Sequence, residues 1–194
     1  MKFKDALLST LIIEVGVALL AVINYGVTVE SLQAVTRFSG RVSLAIFSLI
    51  FLFQNHRYLN VNKILSEKYF AIFAIAHGIH LIQLLSFVFL SDNVLIPIRL
   101  LGGFFAYVFI FVMPFAQHLF EQNKLSPKHF STLTLIYLYY VWFIFFMSYL
   151  PRVWGELPNV GGSFSKFVVL LAWVSLMMGM KLQRILLNKI SFKK

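Results

Sequence analysis

The chain has no cysteine and very little charge. Of its 194 residues only 12% are Asp, Glu, Lys or Arg, and the acidic residues number 7 against 17 basic ones. The absence of cysteine excludes disulfides, zinc–thiolate sites, iron–sulfur clusters and thiol catalysis. The scarcity of acids leaves no carboxylate cluster able to hold a divalent ion among oxygen ligands. There is no G-x-S-x-G and no H-E-x-x-H, so the common hydrolase signatures are missing too. What fills the space is apolar: 60% of residues are hydrophobic and the mean hydropathy is +0.84. A soluble domain is nearer half apolar and a quarter charged. The composition is that of an integral membrane protein. In that setting the net charge of +10 reads as attraction to membrane lipids at the inner surface, and no nucleic-acid partner is expected.

Polar punctuation marks six apolar segments, at about residues 6–25, 38–53, 69–90, 100–120, 130–150 and 164–180. Each is compatible with a spanning helix, which needs about 20 mostly apolar residues. The second is short, and Arg41 near its start is expected to snorkel toward the headgroups. Pro114 is expected to kink the fourth. The N-terminal run carries Lys2 and Lys4 like a signal peptide, but Glu14 interrupts its apolar core and no small-x-small cleavage site follows. It reads as an uncleaved first span. Loops are short, no internal repeat is visible, and the expectation is a single all-α, six-transmembrane-helix domain in the cell membrane.

Basic residues set the orientation. Lys2, Lys4, Arg57, Lys63, Lys68, Lys124, Lys128 and the tail residues Lys181, Arg184, Lys189, Lys193 and Lys194 fall on one side. Only Arg37, Arg41, Arg99, Arg152 and Lys166 fall on the other. The positive-inside rule then puts both termini in the cytoplasm. The basic cytoplasmic tail, residues 181–194, alternates basic and apolar residues. It fits an interfacial helix on the inner leaflet, or a frayed lipid-attracted end.

Few ionisable residues fall inside the spans. At about 1.5 Å per residue, His77 lies roughly 13 Å, His80 roughly 18 Å and Glu14 roughly 15 Å from the cytoplasmic edge. His77 and His80 are three residues apart and share a helix face, which Gln83 continues. Gly78 between them lets a neighbouring helix or a flat ligand come close. His56, His118 and His129 fall at the interface, where polar residues are ordinary. Three readings of Glu14, His77, His80 and Gln83 stay open: interhelical hydrogen bonding, metal or haem ligation by imidazole, and a proton relay. Two histidines on one helix cannot supply both axial ligands to one iron. A haem partner would have to be His118, His129, or a methionine such as Met113, Met147, Met177 or Met178.

Four stretches resemble the ferric-reductase-like transmembrane family, which includes the haem-bearing membrane subunit of the bacterial methionine sulfoxide reductase system. "SGRVSLAIFSLIFLFQNHR" is similar to its Gly-Arg-aromatic opening, apolar run and closing basic residue. "FAIFAIAHGIHLIQLLSF" resembles its helix with a leucine–histidine haem ligand. "RLLGGFFAYVFIFVMPF" resembles its Gly- and Ala-Tyr-rich helix. In "LSPKHFSTLTLIY", Lys128 and Tyr137 match, His129 stands at the family's Trp, and Leu133 stands at its ligating His. The family's further histidine is also missing, near Phe146. The likeness covers roughly residues 37–140. It implies a six-span core holding haem b, with His80 as ligand, His77 beside it and His129 as a rewired partner. It also implies electron transfer across the membrane from a separate cytoplasmic flavoprotein or a quinone, since no flavin or nicotinamide site lies in this chain. If the protein is an enzyme, it is then an oxidoreductase subunit. The competing expectations are a proton-coupled transporter built on Glu14, His77 and His80, and a non-enzymatic accessory membrane protein.

Overall fold

A computed structural model of the chain describes residues 2–54, 68–91, 97–156 and 162–191, with side chains described except at 97–100 and 187–191. Among the described residues six helices follow one another: α1 (Phe3–Tyr25), α2 (Val29–Phe53), α3 (Tyr69–Leu90), α4 (Pro97–Glu121), α5 (Pro127–Val153) and α6 (Phe164–Ser191). All six are long and apolar enough to cross a membrane, and no strand occurs among the described residues. This is the all-helical, six-span architecture expected from the hydropathy, and the chain is a multi-pass membrane protein. His56, Arg57, Tyr58 and Lys63, and the end of the tail at Lys193 and Lys194, lie outside the described residues.

Two boundaries differ from expectation. α2 begins at Val29, well before the anticipated start near residue 38. The segment "VESLQAVTR" has no apolar run, but it can fold as a helix because its start is capped and one face is buried. The Thr28 hydroxyl accepts the Ser31 N–H and the Ser31 hydroxyl accepts the Thr28 N–H, both at 3.3 Å, closing a capping box. Ser31, Ala34, Val35 and Thr36 then turn inward. Gly26, at φ +69, makes the turn from α1, a conformation that side chains rarely adopt. Thr28→Ala is expected to cost about 1 kcal/mol through loss of the cap, read by reversible denaturation in mixed micelles. The second difference is the tail. α6 runs without interruption through Ser191, so the basic segment up to that residue continues the last helix instead of forming a separate interfacial one. At 28 residues α6 is about 42 Å long, more than the ~30 Å of hydrocarbon. Its basic end therefore has length to emerge at the surface.

The helices group into two units, Met1–Val141 and Trp142–Lys194, with the division falling inside α5. In the first unit α2 is the central element and packs along α3 and against α1, while α3 also contacts α1 and α4. Ala21, Ala34 and Val35 bring α1 and α2 close together. Lower in the unit an aromatic cluster fills the space. Phe47 lies 5.5 Å from Phe73 and 5.7 Å from Phe51, and Tyr137 of α5 meets Phe70 edge-on at 5.1 Å. The side of α1 bearing Leu8, Ile12, Val15, Leu19 and Ile23 stays exposed, as a lipid-facing surface should. In the second unit the Trp142 indole N–H donates to the Val174 carbonyl at 2.9 Å, and the Arg152 guanidinium lies over the Phe167 ring. Val174 and Met177 are fully buried there.

Candidate functional site

One side of α2 carries Thr36, Ser39, Gly40 and Ser43, at the i, i+3, i+4, i+7 spacing that lines up residues on a helix face. Small residues let a neighbouring backbone approach, which is how membrane helices pack when burial alone gives no driving force. Ser39 and Ser43 are completely buried. α3 lays its histidines near this stripe. A Cβ added at Gly40 would stand 3.1 Å from Cε1 of His80 and 3.5 Å from each ring nitrogen, so the imidazole rests directly on the α2 backbone. The Thr36 backbone carbonyl also addresses this ring, while Nδ1 makes no hydrogen bond.

His77 sits one turn away, its ring 5.3 Å from that of His80. It is sandwiched between Phe73, stacked at 5.3 Å, and Tyr107 of α4 at 4.9 Å. Gly78 fulfils the close approach expected of it: a Cβ there would touch the Phe111 ring of α4 at 3.5 Å.

Glu14 enters the same layer from α1. It is 4% exposed, and neither carboxyl oxygen makes a hydrogen bond among the described residues. Ser39 and Gln83 are the side chains that interact with it, though neither reaches hydrogen-bond geometry, and Gln83 Oε1 is likewise unbonded. Glu14 thus meets Ser39 and Gln83, while His77 and His80 pack on one another on the same face of α3 as Gln83, beside Gly40 and Thr36 of α2 and Tyr107 of α4. Just beyond, Nη1 of Arg37 is buried without a hydrogen-bond partner, and the Arg41 guanidinium lies over the Phe38 ring at 5.0 Å.

His129 is not part of this layer. It is exposed at the start of α5, where Nδ1 pairs with the Ser126 hydroxyl at 2.7 Å. Its neighbour Phe130 stacks on Phe120, which lies 13 residues along α4 from Tyr107, the residue that touches His77. At 1.5 Å per residue that is about 20 Å of helix. His129 is therefore a helix-start residue, and its expected role as partner to His80 does not fit its position. His118 is also exposed and pairs with Gln122 at 2.9 Å.

A bis-histidine haem does not fit these side chains. The groups across from His80 are Gly40 and the backbone of Thr36, and His77 faces Phe73 and Tyr107. Met113 is buried on α4, but it is two residues past Phe111 and so about 200° around the helix from it. Among the described residues no group of three His, Asp or Glu side chains could hold a metal ion. What the layer offers is a carboxyl, two imidazoles, an amide and hydroxyls, set among apolar helices. That set can take up, hold and pass on a proton, or bind a small polar solute. No protein-family model, no curated protein and no solved structure matches the chain.

Proposed function

We propose that this chain moves protons, alone or coupled to a polar solute, through the Glu14 layer, with both termini in the cytoplasm as the distribution of basic residues favours. The observation that carries the reading is the Glu14 carboxyl, 4% exposed and without a hydrogen bond. Magnitudes weigh against the layer being interhelical glue. A hydrogen bond between membrane helices contributes ~0.6 kcal/mol, whereas a buried polar group left unbonded costs about 1–3 kcal/mol. Glu14, Ser39, Ser43, the Gln83 carbonyl and His80 Nδ1 all lack bonds. As a structural device the layer is a net loss, while as a site that must stay free to exchange protons it is intelligible. Intramembrane carboxylates and histidines serve that purpose in pumps and transporters. Glu14 takes the proton, Ser39 and Gln83 are the polar side chains beside it, and His80 and His77 form the next step along α3.

The test is proton entry into phosphatidylcholine vesicles holding the purified protein and an internal pH dye, driven by a valinomycin potassium potential. Wild-type vesicles are expected to acidify faster than empty ones, and Glu14→Gln and His80→Ala vesicles are not. Wild-type vesicles no leakier than empty ones would sink the reading.

The haem electron carrier implied by the family resemblance is the second reading, supported by the burial of His80 between α2 and α3. From the ligand geometry, protein purified from haem-supplied cells is expected to show no α-band in a dithionite-reduced minus oxidised spectrum. A band that disappears in His80→Ala would replace proton movement with electron transfer from a flavoprotein or quinone.

A further inference from the structure

The Glu14 layer has a second polar layer beyond the aromatic cluster. Tyr137 and Thr134 lie three residues apart on one face of α5 and are 0% and 2% exposed. Neither hydroxyl makes a hydrogen bond. Tyr69, at the start of α3, lies against Phe70 at 4.4 Å, and the Phe70 ring meets Tyr137 edge-on at 5.1 Å, while the Tyr69 side chain interacts with Gln54 at the end of α2. These residues lead from Tyr137 to the helix ends on that side of the unit. In the other direction Tyr137 touches Phe73 at 6.5 Å and Phe47 at 6.4 Å, Phe73 stacks on His77, and Phe47 is one helical turn from Ser43. Two polar layers are thus separated by the rings of Phe47 and Phe73.

Fully buried hydroxyls are ordinarily satisfied by protein or by ordered water. Tyr137 and Thr134 have no hydrogen-bond partner among the described residues, and they flank the aromatic pair on the side away from Glu14. We propose that Tyr137 and Thr134 hold water that passes protons between the His77 end of the Glu14 layer and the Tyr69–Gln54 end, with Phe73 and Phe47 as the barrier between the two layers. This rests on the proton-moving reading above and names its route. The Tyr137 hydroxyl accepts a proton from water on one side as it donates its own on the other, so no charge is left behind. Phe73 and Phe47 set the rate by opening or closing the gap.

Two measurements test this, both on the full chain. In the vesicle assay, Tyr137→Phe keeps the ring and its packing and removes only the hydroxyl. It is expected to slow proton entry at least tenfold, and Thr134→Val several-fold. Phe73→Ala should speed entry several-fold, a gain that a merely structural role would not give. Independently, X-ray footprinting generates hydroxyl radicals from bound water, and Tyr137 should be modified despite its burial while Phe51, equally buried, is not. Wild-type flux in Tyr137→Phe, with Glu14→Gln inactive, overturns the route and leaves the proton reading standing. Absence of Tyr137 labelling overturns the water site whatever the flux. Labelling in a protein without flux retains bound water and removes both the reading and the route.

Discussion

Glu14→Gln is expected to lower proton entry into vesicles at least a hundredfold while the protein still folds. Gln matches Glu in shape and keeps two polar atoms where Ser39 and Gln83 lie, so packing between α1, α2 and α3 should be preserved. Only the exchangeable carboxyl proton is lost. A second substitution separates function from stability. Glu14→Leu fills the same space with an apolar group and removes a buried carboxyl that has no hydrogen bond. Relieving such a group is worth about 1–3 kcal/mol, so Glu14→Leu should be more stable than wild type and equally inactive. Stability gained as activity is lost is the pattern of a residue retained for function. If Glu14→Leu is instead less stable, the carboxyl is bonded within the fold and the reading of this layer as a proton site loses its main support. A carbodiimide that reacts with carboxylic acids in apolar surroundings gives a direct check: it should label Glu14 and block wild-type flux.

Part of this layer is legible in the sequence, because depth in a membrane can be counted. α1 and α3 run as long uninterrupted apolar helices, so counting 1.5 Å per residue put Glu14, His77 and His80 at one level. The i, i+3 rule then put both histidines on one face with Gln83. The α2 half of the site was hidden for a physical reason. Its entry segment is helical through a cap and a buried face, not through hydropathy, so an apolar-run reading starts the helix near residue 38. Thr36 falls outside such a helix, and Ser39, Gly40 and Ser43 pass for ordinary small residues. The signal was present as a Thr-x-x-Ser-Gly-x-x-Ser stripe, whose spacing marks a helix-packing face. His129 was misjudged for a different reason. Its residue type fits a ligand, but Ser126 and Pro127 beside it are helix-start signals that account for its place. Tyr137 and Thr134 were beyond sequence reasoning, since hydroxyls in a span give no hint of whether a neighbour satisfies them.

Gly40 carries the other large expected effect, because the His80 imidazole of α3 rests against it. In a helix interior Gly is about 0.8–1 kcal/mol less favourable than Ala, so Gly40→Ala gains that much on propensity. The new Cβ, however, meets His80 Cε1 at 3.1 Å and asks the ring to shift by a few tenths of an ångström. The two effects oppose, and Gly40→Ala should lie within about 1 kcal/mol of wild type. Gly40→Leu is different in kind: its branched end occupies the volume of the imidazole. Overpacking of this sort costs about 1–3 kcal/mol or more, and it displaces His80 from Glu14's layer, so proton entry should fall to the level of His80→Ala. The double variant Gly40→Leu/His80→Ala makes room for the leucine. It should recover about 1–2 kcal/mol relative to the sum of the single changes, the size of coupling found for residues in direct contact, while remaining inactive. Rescue of stability without rescue of flux would assign the imidazole to the proton path and the glycine to its seat. Additive single effects would mean that Gly40 and His80 do not bear on one another, and the close approach of α2 to α3 would then need another cause.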